Sequence, residues 1–187
     1  SLSAPGVDGA TRLVRDLGEH RLKDLSGPQR LYQLGADAFP PLKTLHQTNL
    51  PVVPTQLVGR EREVEDLLEL LRREEVSVVT LTGAGGGGKT RLVMQAAAEV
   101  AEDYVDGVWF VGLATVTDVD LVVAGIAQTF GLREGSGRTY RDLLGDYLRS
   151  RRLLLVLDNL EQLLPEVAGV VADLAAEFAG VEFLTTS

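Results

Sequence analysis

From Gln56 to Ser187 the chain alternates short apolar runs with longer stretches of helical spacing, the order expected of a βαβ domain. Val64, Leu67, Leu68 and Leu71 recur at i, i+3, i+4 and i+7 against a face of Glu and Arg, which predicts a helix over about residues 61–74 whose stripe is core. The β-branched run SVVTLT at 77–82 is too short for a helix and predicts a buried strand. A glycine-rich turn comes next, then a helix over about 89–103, a strand GVWFVGL at 107–113 with Trp109 and Phe110 in the core, and helices over about 118–130 and 140–149. Thr117 with Asp120, and Thr139 with Asp142, set a hydroxyl three residues before a carboxylate, a capping pattern expected to start those two helices; Gly131 suits a helix stop. The nearly all-apolar RLLLVLD at 152–158 predicts another buried strand, followed by a helix from about Pro165 to Ala179 and a last strand, VEFLTT, at 181–186.

Before this region the rhythm is different. Residues 1–35 are short and charged, with the pieces RLVRDLG, HRLKDL and RLYQL divided at Gly18-Glu19 and Ser26-Gly27-Pro28, which predicts small strands at hairpin spacing. Thirty-five residues bury too little surface to stand alone, so the segment is expected to be the end of an upstream domain or a flap packed on the α/β region. Residues 36–55 hold Pro40, Pro41, Pro51 and Pro54 and read as an extended linker. The expected organisation is therefore a β segment at 1–35, a linker at 36–55 and an α/β domain at 56–187. That domain ends at or just after a buried strand, so it is expected to be incomplete; a start without Met or a signal pattern also suggests a segment of a longer protein.

Composition narrows the chemistry. The 18 Lys+Arg against 27 Asp+Glu leave a net charge of −9, which disfavours direct nucleic-acid binding or an anionic membrane surface as the role of this segment. The absence of Cys removes disulfides, thiolate metal sites and cysteine nucleophiles, and fits a cytoplasmic location. His20 and His46 stand 26 positions apart, which argues against a metal cluster or triad. No apolar run approaches the roughly 18–20 residues that span a bilayer, so no membrane partner is expected.

Directly after the strand at 77–82 stands Gly83-Ala84-Gly85-Gly86-Gly87-Gly88-Lys89-Thr90, a G-x-x-x-x-G-K-[ST] phosphate loop in strand–loop–helix context. At average residue frequencies a chain of this length shows the pattern by accident in only about 0.6% of cases, before context is asked for. Gly83, Gly85, Gly86 and Gly88 let backbone N–H groups close around an anion, and the helix after them turns the positive end of its dipole to the same phosphates. Lys89 supplies a charge for the β- and γ-phosphates, and the Thr90 hydroxyl is a ligand for Mg²⁺. Asp158, at the tip of the apolar strand 152–158, is the matching acid for that metal ion, although alone it would read as an ordinary strand-ending turn residue. The expected fold class is thus an α/β P-loop NTPase with a mainly parallel sheet flanked by helices, binding ATP or ADP with Mg²⁺; adenine is the default base because no N-K-x-D segment occurs.

Activation of the water is less well provided for. The residue after Asp158 is Asn159, which orients a water but cannot take its proton; Glu161 is the nearest substitute, and is equally well a solvated residue at a helix entrance. Slow hydrolysis is the consequence, suited to a switch. Thr185, Thr186 and Ser187 could sense a γ-phosphate, although Thr in a strand is mostly propensity. Leu57-Val58-Gly59-Arg60-Glu61 could pass a backbone over a base, or serve only as the turn that starts a helix.

The runs LPVVPTQLVGREREVEDLLELL, VVTLTGAGGGGKTRLV, GVWFVGLATVTDVDLV, AQTFGL, LLLVLDNLEQLLP and FLTTS, which begin at Leu50 and carry a resemblance covering about residues 56–187, resemble in that order the signal-transduction ATPases with numerous domains, and within them the bacterial branch of AfsR-type and LuxR-type regulators, related to NB-ARC domains. That resemblance implies an adenine-side role for Val58, Gly59 and Arg60, a phosphate loop extending through Thr90 to Arg91, a magnesium acid in Asp158, and a T-S-R sensor begun by Thr186 and Ser187. It implies a regulatory switch with slow ATP hydrolysis, a non-hydrolysing nucleotide scaffold being the alternative, whose partners are the upstream and downstream domains of the same protein and a nucleotide-dependent oligomer. The family commonly has an aliphatic residue where this chain has Gly87, which implies a more flexible loop. The run LVRDLGEHRLKDLSGPQRLYQL resembles the closing strands of class III adenylate/guanylate cyclase domains; the metal-binding acids of such domains lie upstream, so no cyclase activity is assigned here, and a protein whose main activity is an upstream cyclase stays open.

Overall fold

The computed structural model describes residues 14–21, 28–34, 48–51, 57–135 and 137–187. The chain divides into two compact units, residues 1–45 and 46–187. In the first, β1 (Val14–Arg21) and β2 (Pro28–Leu34) pair antiparallel, Val14 opposite Leu34 and Arg21 opposite Pro28. The expected break at Gly18-Glu19 is absent: β1 runs through it with Gly18 opposite Leu31, and one extra residue, Leu17, is taken up as a register shift between Asp16 and Gly18. That is how an extra residue is accommodated in a ladder without ending the strand. The predicted turn at Ser26-Gly27, and most of the linker predicted at 36–55, lie outside the described residues.

The second unit is a three-layer α/β arrangement. Its elements are α1 (Glu61–Leu71), β3 (Val78–Leu81), α2 (Lys89–Glu99), β4 (Val108–Gly112), α3 (Asp120–Thr129), α4 (Tyr140–Leu148), β5 (Leu153–Asp158), α5 (Glu166–Glu177) and β6 (Val181–Thr186). The four strands form one parallel sheet in the order β3-β6-β5-β4, which makes the predicted α/β P-loop NTPase class the observed one. β5 is buried along both faces because its side chains alternate between two cores. Leu153, Leu155 and Leu157 join Ile126, Leu144, Val171 and Phe183 in the core under α3, α4 and α5; Leu154 and Val156 join Leu67, Leu92, Ala96 and Leu184 under α1 and α2. Trp109 and Phe110 are partly buried, one against each core, and Trp109 meets Phe130 edge-on at 5.1 Å.

Helix boundaries differ from expectation where local polar groups decide them. Thr139 and Asp142 form the predicted capping box. Thr117 does not cap α3: the Asp118 carboxylate, nearer by one residue, accepts from the Asp120 N–H at 3.0 Å, and tight turns from Asp118 and Val119 lead into the helix. α1 stops at Leu71, its last apolar residue, and α2 at Glu99, before a 3₁₀ turn over Ala101–Asp103. The start of β6 is set by close approach at Gly180, where a Cβ would lie 2.3 Å from the Arg151 carbonyl oxygen. Before α1, Thr48 bridges in parallel to Val108, and the Asn49 side chain both donates to the Phe110 carbonyl at 2.8 Å and accepts from the Phe110 N–H at 2.6 Å. An amide side chain thereby satisfies the open edge of β4, a place where unpaired backbone invites pairing. Among the described residues, no helix is long and apolar enough to cross a membrane.

Candidate functional site

The carboxyl ends of β3, β5 and β6 come together because the ladder sets Leu81 beside Thr186 and Leu157 beside Thr185. Open α/β sheets bind ligands at this edge. The chain leaves β3 through the glycine-rich loop, in which Gly83, Gly86 and Gly88 have φ of 156°, 76° and 77°. The values at Gly86 and Gly88 lie in the left-handed region, where a side chain is strained, and a Cβ at Gly85, Gly86 or Gly88 would meet nothing within 4 Å. The loop thus presents bare backbone to open space, the shape of an anion cradle. Gly88 is the N-cap of α2, so Lys89 and Thr90 occupy that helix's first turn.

Two groups hold the loop in place. Lys89 Nζ donates to the carbonyls of Gly83 at 2.6 Å and Ala84 at 3.1 Å, and Arg60 Nη2 donates to the carbonyl of Gly87 at 3.0 Å. Inside the loop, the Gly87 N–H donates to the Ala84 carbonyl at 3.1 Å. Beside it, the Thr90 hydroxyl reaches both carboxylate oxygens of Asp158, at 2.9 and 3.1 Å, across 68 residues of sequence. The Thr186 hydroxyl donates to Asp158 Oδ1 at 2.6 Å and accepts from the Asn159 N–H at 2.9 Å, so the last strand is tied to the same carboxylate. Thr185, also buried, donates to Thr80 Oγ1 at 2.9 Å and belongs to the β3–β6 contact.

The remaining residues singled out in the sequence are spread around this centre. Val58 is 84% exposed, and Gly59 adopts a left-handed φ of 78°. Glu61 accepts from the Gly59 N–H at 3.0 Å; hydrogen bonds from its own backbone and from Gly59 hold its carboxyl below the usual range. Arg91 is exposed in the first turn of α2. Glu161 sits exposed in the 3₁₀ turn Leu160–Gln162, and the hydrogen bonds joining Thr90, Asp158 and Thr186 do not include it. The turn begins at Asn159, which adopts a left-handed φ of 71°. Oxygen donors, one carboxylate and one hydroxyl beside a phosphate-shaped cradle, fit a magnesium ion shared with a phosphate better than a metal held by protein alone. Among the described residues, no group of three or more His, Cys, Asp or Glu able to hold a metal is found.

Sequence reasoning missed the contact between Arg60 and Gly87 and the role of Asn49 at the sheet edge. The first joins two motifs 27 residues apart that nothing local connects. The second lies in a stretch whose prolines marked it as linker. A depression of about 260 Å³ lined in part by Arg73, Arg152, Tyr104 and Glu182 lies at the other, amino end of the strands. There Tyr104 donates to Glu182 at 2.6 Å and Arg72 faces Asp103 at 3.8 Å.

Comparison with known proteins agrees with this architecture. An uncharacterized protein of Mycobacterium tuberculosis is 38% identical over 133 residues, covering 71% of this chain and 33% of that protein. The regulatory protein AfsR of Streptomyces griseus is 26% identical over 174 residues, covering 84% of this chain and 18% of that protein. The chain therefore spans a third or less of the length of these relatives. Among solved structures, the ORC2 protein of Aeropyrum pernix, determined in ADPNP–ADP complexes, superposes with a TM-score of 0.56 at 20% identity, covering 73% of this chain and 43% of that one; at that identity the likeness concerns the fold. A family model for the NB-ARC domain matches residues 60–174, from the start of α1 into α5 and well over half of the sequence, and the chain belongs to that family.

Proposed function

We propose that this chain is the nucleotide-binding part of a multidomain signalling or transcriptional regulator, an ATP/Mg²⁺ switch whose hydrolysis is slow. The observation that carries the proposal is the convergence of the Thr90 and Thr186 hydroxyls on the Asp158 carboxylate beside the phosphate loop. Backbone N–H groups of the loop and the α2 N-terminus would bind the phosphates, and Lys89 would exchange the Gly83 and Ala84 carbonyls for phosphate oxygens. Thr90 and Asp158 would hold magnesium, which supplies charge neutralisation between the β- and γ-phosphates when bound. Val58 and Gly59 would pass backbone over the base.

Thr186 gives the switch its link. Its hydroxyl joins β6 to the magnesium acid, so any change at Asp158 is felt at the end of the last strand. ATP and ADP would then favour different arrangements of the downstream domains, by as much as their contacts at that strand end differ. Hydrolysis would be slow because the group next to Asp158 is the Asn159 amide and Glu161 sits on an exposed turn. The same observation favours, as a second reading, a scaffold that binds nucleotide without hydrolysing it. Similarity to a regulatory protein supports the regulatory context. The hairpin β1–β2 would be the end of an upstream domain of cyclase type, joined to the nucleotide-binding unit by a linker that ends before Thr48.

Calorimetric titration of MgATP and MgADP into the chain tests the proposal. Saturable binding is expected, and Lys89→Ala should lose at least about thirtyfold in affinity, as befits a charged hydrogen bond to phosphate. A folded chain that binds neither nucleotide, or a Lys89→Ala variant that binds as well as the parent, would sink it. Single-turnover phosphate release then separates the slow ATPase from the scaffold.

A further inference from the structure

The turn before α1 and the phosphate loop meet at one backbone carbonyl, and the meeting is braced. Arg60 Nη2 donates to Gly87 O at 3.0 Å while Arg60 Nε lies 3.5 Å from Glu63 Oε1 on the next turn of the helix, so the guanidinium is held from one side and the loop takes the other. The part of the loop it grips is the least constrained by its own sequence. Gly85 to Gly88 are four successive glycines, and between residues without Cβ a peptide plane can turn over at little steric cost.

Anion binding needs only one of those orientations. A nest forms when neighbouring residues alternate between right- and left-handed conformations, so that successive N–H groups converge. Gly86 and Gly88 have φ of 76° and 77° and Gly87 between them does not have a positive φ, so the sign of φ alternates along the loop as a nest requires. Because a trans peptide is planar, the carbonyl of Gly87 and the N–H of Gly88 point in opposite directions. A bond that turns the carbonyl to Arg60 therefore turns the N–H of Gly88 away from Arg60. A side chain at position 87 would crowd the turn it stiffened, since a Cβ there would lie 3.0 Å from the Ala84 oxygen to which the Gly87 N–H is bonded.

We propose that Arg60 is a positioning residue for the phosphate loop: it fixes the orientation of the Gly87–Gly88 peptide, and through it the N–H that faces the anion, and does not read the base. The inference rests on the phosphate-loop reading above. Its consequence is a coupling between α1 and phosphate affinity that is independent of which base the ligand carries.

The test compares the parent chain with Arg60→Met, which keeps the aliphatic stem and loses the donors, with Arg60→Lys, which restores one, and with Lys89→Ala. MgADP and base-free magnesium tripolyphosphate are titrated calorimetrically, and amide hydrogen exchange over residues 83–90 is followed in the ligand-free chains. Arg60→Met should weaken both ligands by the same factor, about fivefold to tenfold, and speed exchange in the loop, while Arg60→Lys recovers most of both; a single exposed hydrogen bond to one carbonyl is worth about that much. A loss confined to MgADP, or loop exchange unchanged in Arg60→Met, overturns the inference. If Lys89→Ala abolishes binding while Arg60→Met holds tripolyphosphate as the parent does, this inference alone falls. If Lys89→Ala binds as the parent does, the phosphate-loop reading falls with it.

Discussion

One hydroxyl at the end of β6 serves two groups at once. Thr186 is 2% exposed, donates to Asp158 and accepts from the Asn159 N–H, so removing its oxygen leaves a carboxylate oxygen and a backbone donor short of a partner. Thr186→Val, close in shape, should lower stability by about 1–3 kcal/mol, whereas Thr186→Ser, which keeps the oxygen, should lose far less. Urea denaturation of the two variants checks this, and equal losses would mean that packing rather than the hydroxyl matters. A half-buried pair gives a pH signature. Burial pushes the Glu182 carboxyl up, opposed by the hydrogen bond from Tyr104 and by Arg152, with Asp103 adding to the rise; burial and Glu182 push the Tyr104 hydroxyl up as well. A carboxyl raised on folding stabilises below its ordinary pKa and ceases to as pH rises through the raised value. The stability of Glu182→Gln relative to the parent should therefore improve from pH 4 to pH 7, measured as the difference in urea midpoints; a difference that does not change with pH would refute the assignment.

Elements were legible in proportion to how local their causes are. The unbroken apolar run along β5 announced a buried strand, and the two cores divide its residues between its two faces. The capping box at Thr139 was legible because its whole mechanism lies within four residues. Asp142 is held below the usual carboxylate range by hydrogen bonds from the Thr139 N–H and hydroxyl, and Thr139→Ala should cost about 1 kcal/mol by thermal or urea unfolding. A neutral outcome would mean that α4 is held by its packing alone. The same pattern misled at Thr117, since it cannot tell which of two neighbouring side chains captures the free N–H; Asp118 does. At Gly18 a turn signal gave way to strand pairing with a distant partner, and at Asn49 a linker signal gave way to the edge of β4. Both outcomes depend on tertiary neighbours. In the candidate site, the strand–loop–helix placement of Lys89 and Thr90 and the approach of Asp158 were legible because motif and strand end fix them. The grip of Arg60 on Gly87 was not, because it needs α1 and the loop in register.

Across the whole molecule, the question is where the nucleotide-binding unit begins. Among the described residues its two cores are built from residues after His46, and the described part of the first unit is a two-stranded hairpin, an element of little stability by itself. The prolines placed the boundary at Gln56, yet the compact unit starts at His46, and Thr48, Asn49 and Leu50 contribute a strand bridge, two hydrogen bonds to Phe110 and a partly buried contact with the core of α1 and α2. A protein comprising residues 46–187 should thus unfold cooperatively with the stability of the corresponding transition in the whole chain. One comprising residues 56–187 should lose about 1–3 kcal/mol, the sum of two exposed hydrogen bonds and part of a leucine. Its bared β4 edge should also make it more prone to associate. Urea unfolding and light scattering on the three proteins decide the matter. Equal stability of the two shorter proteins would show that residues 46–55 are a linker after all; a deficit already present in residues 46–187 would show that the N-terminal hairpin contributes to the fold of the nucleotide-binding unit.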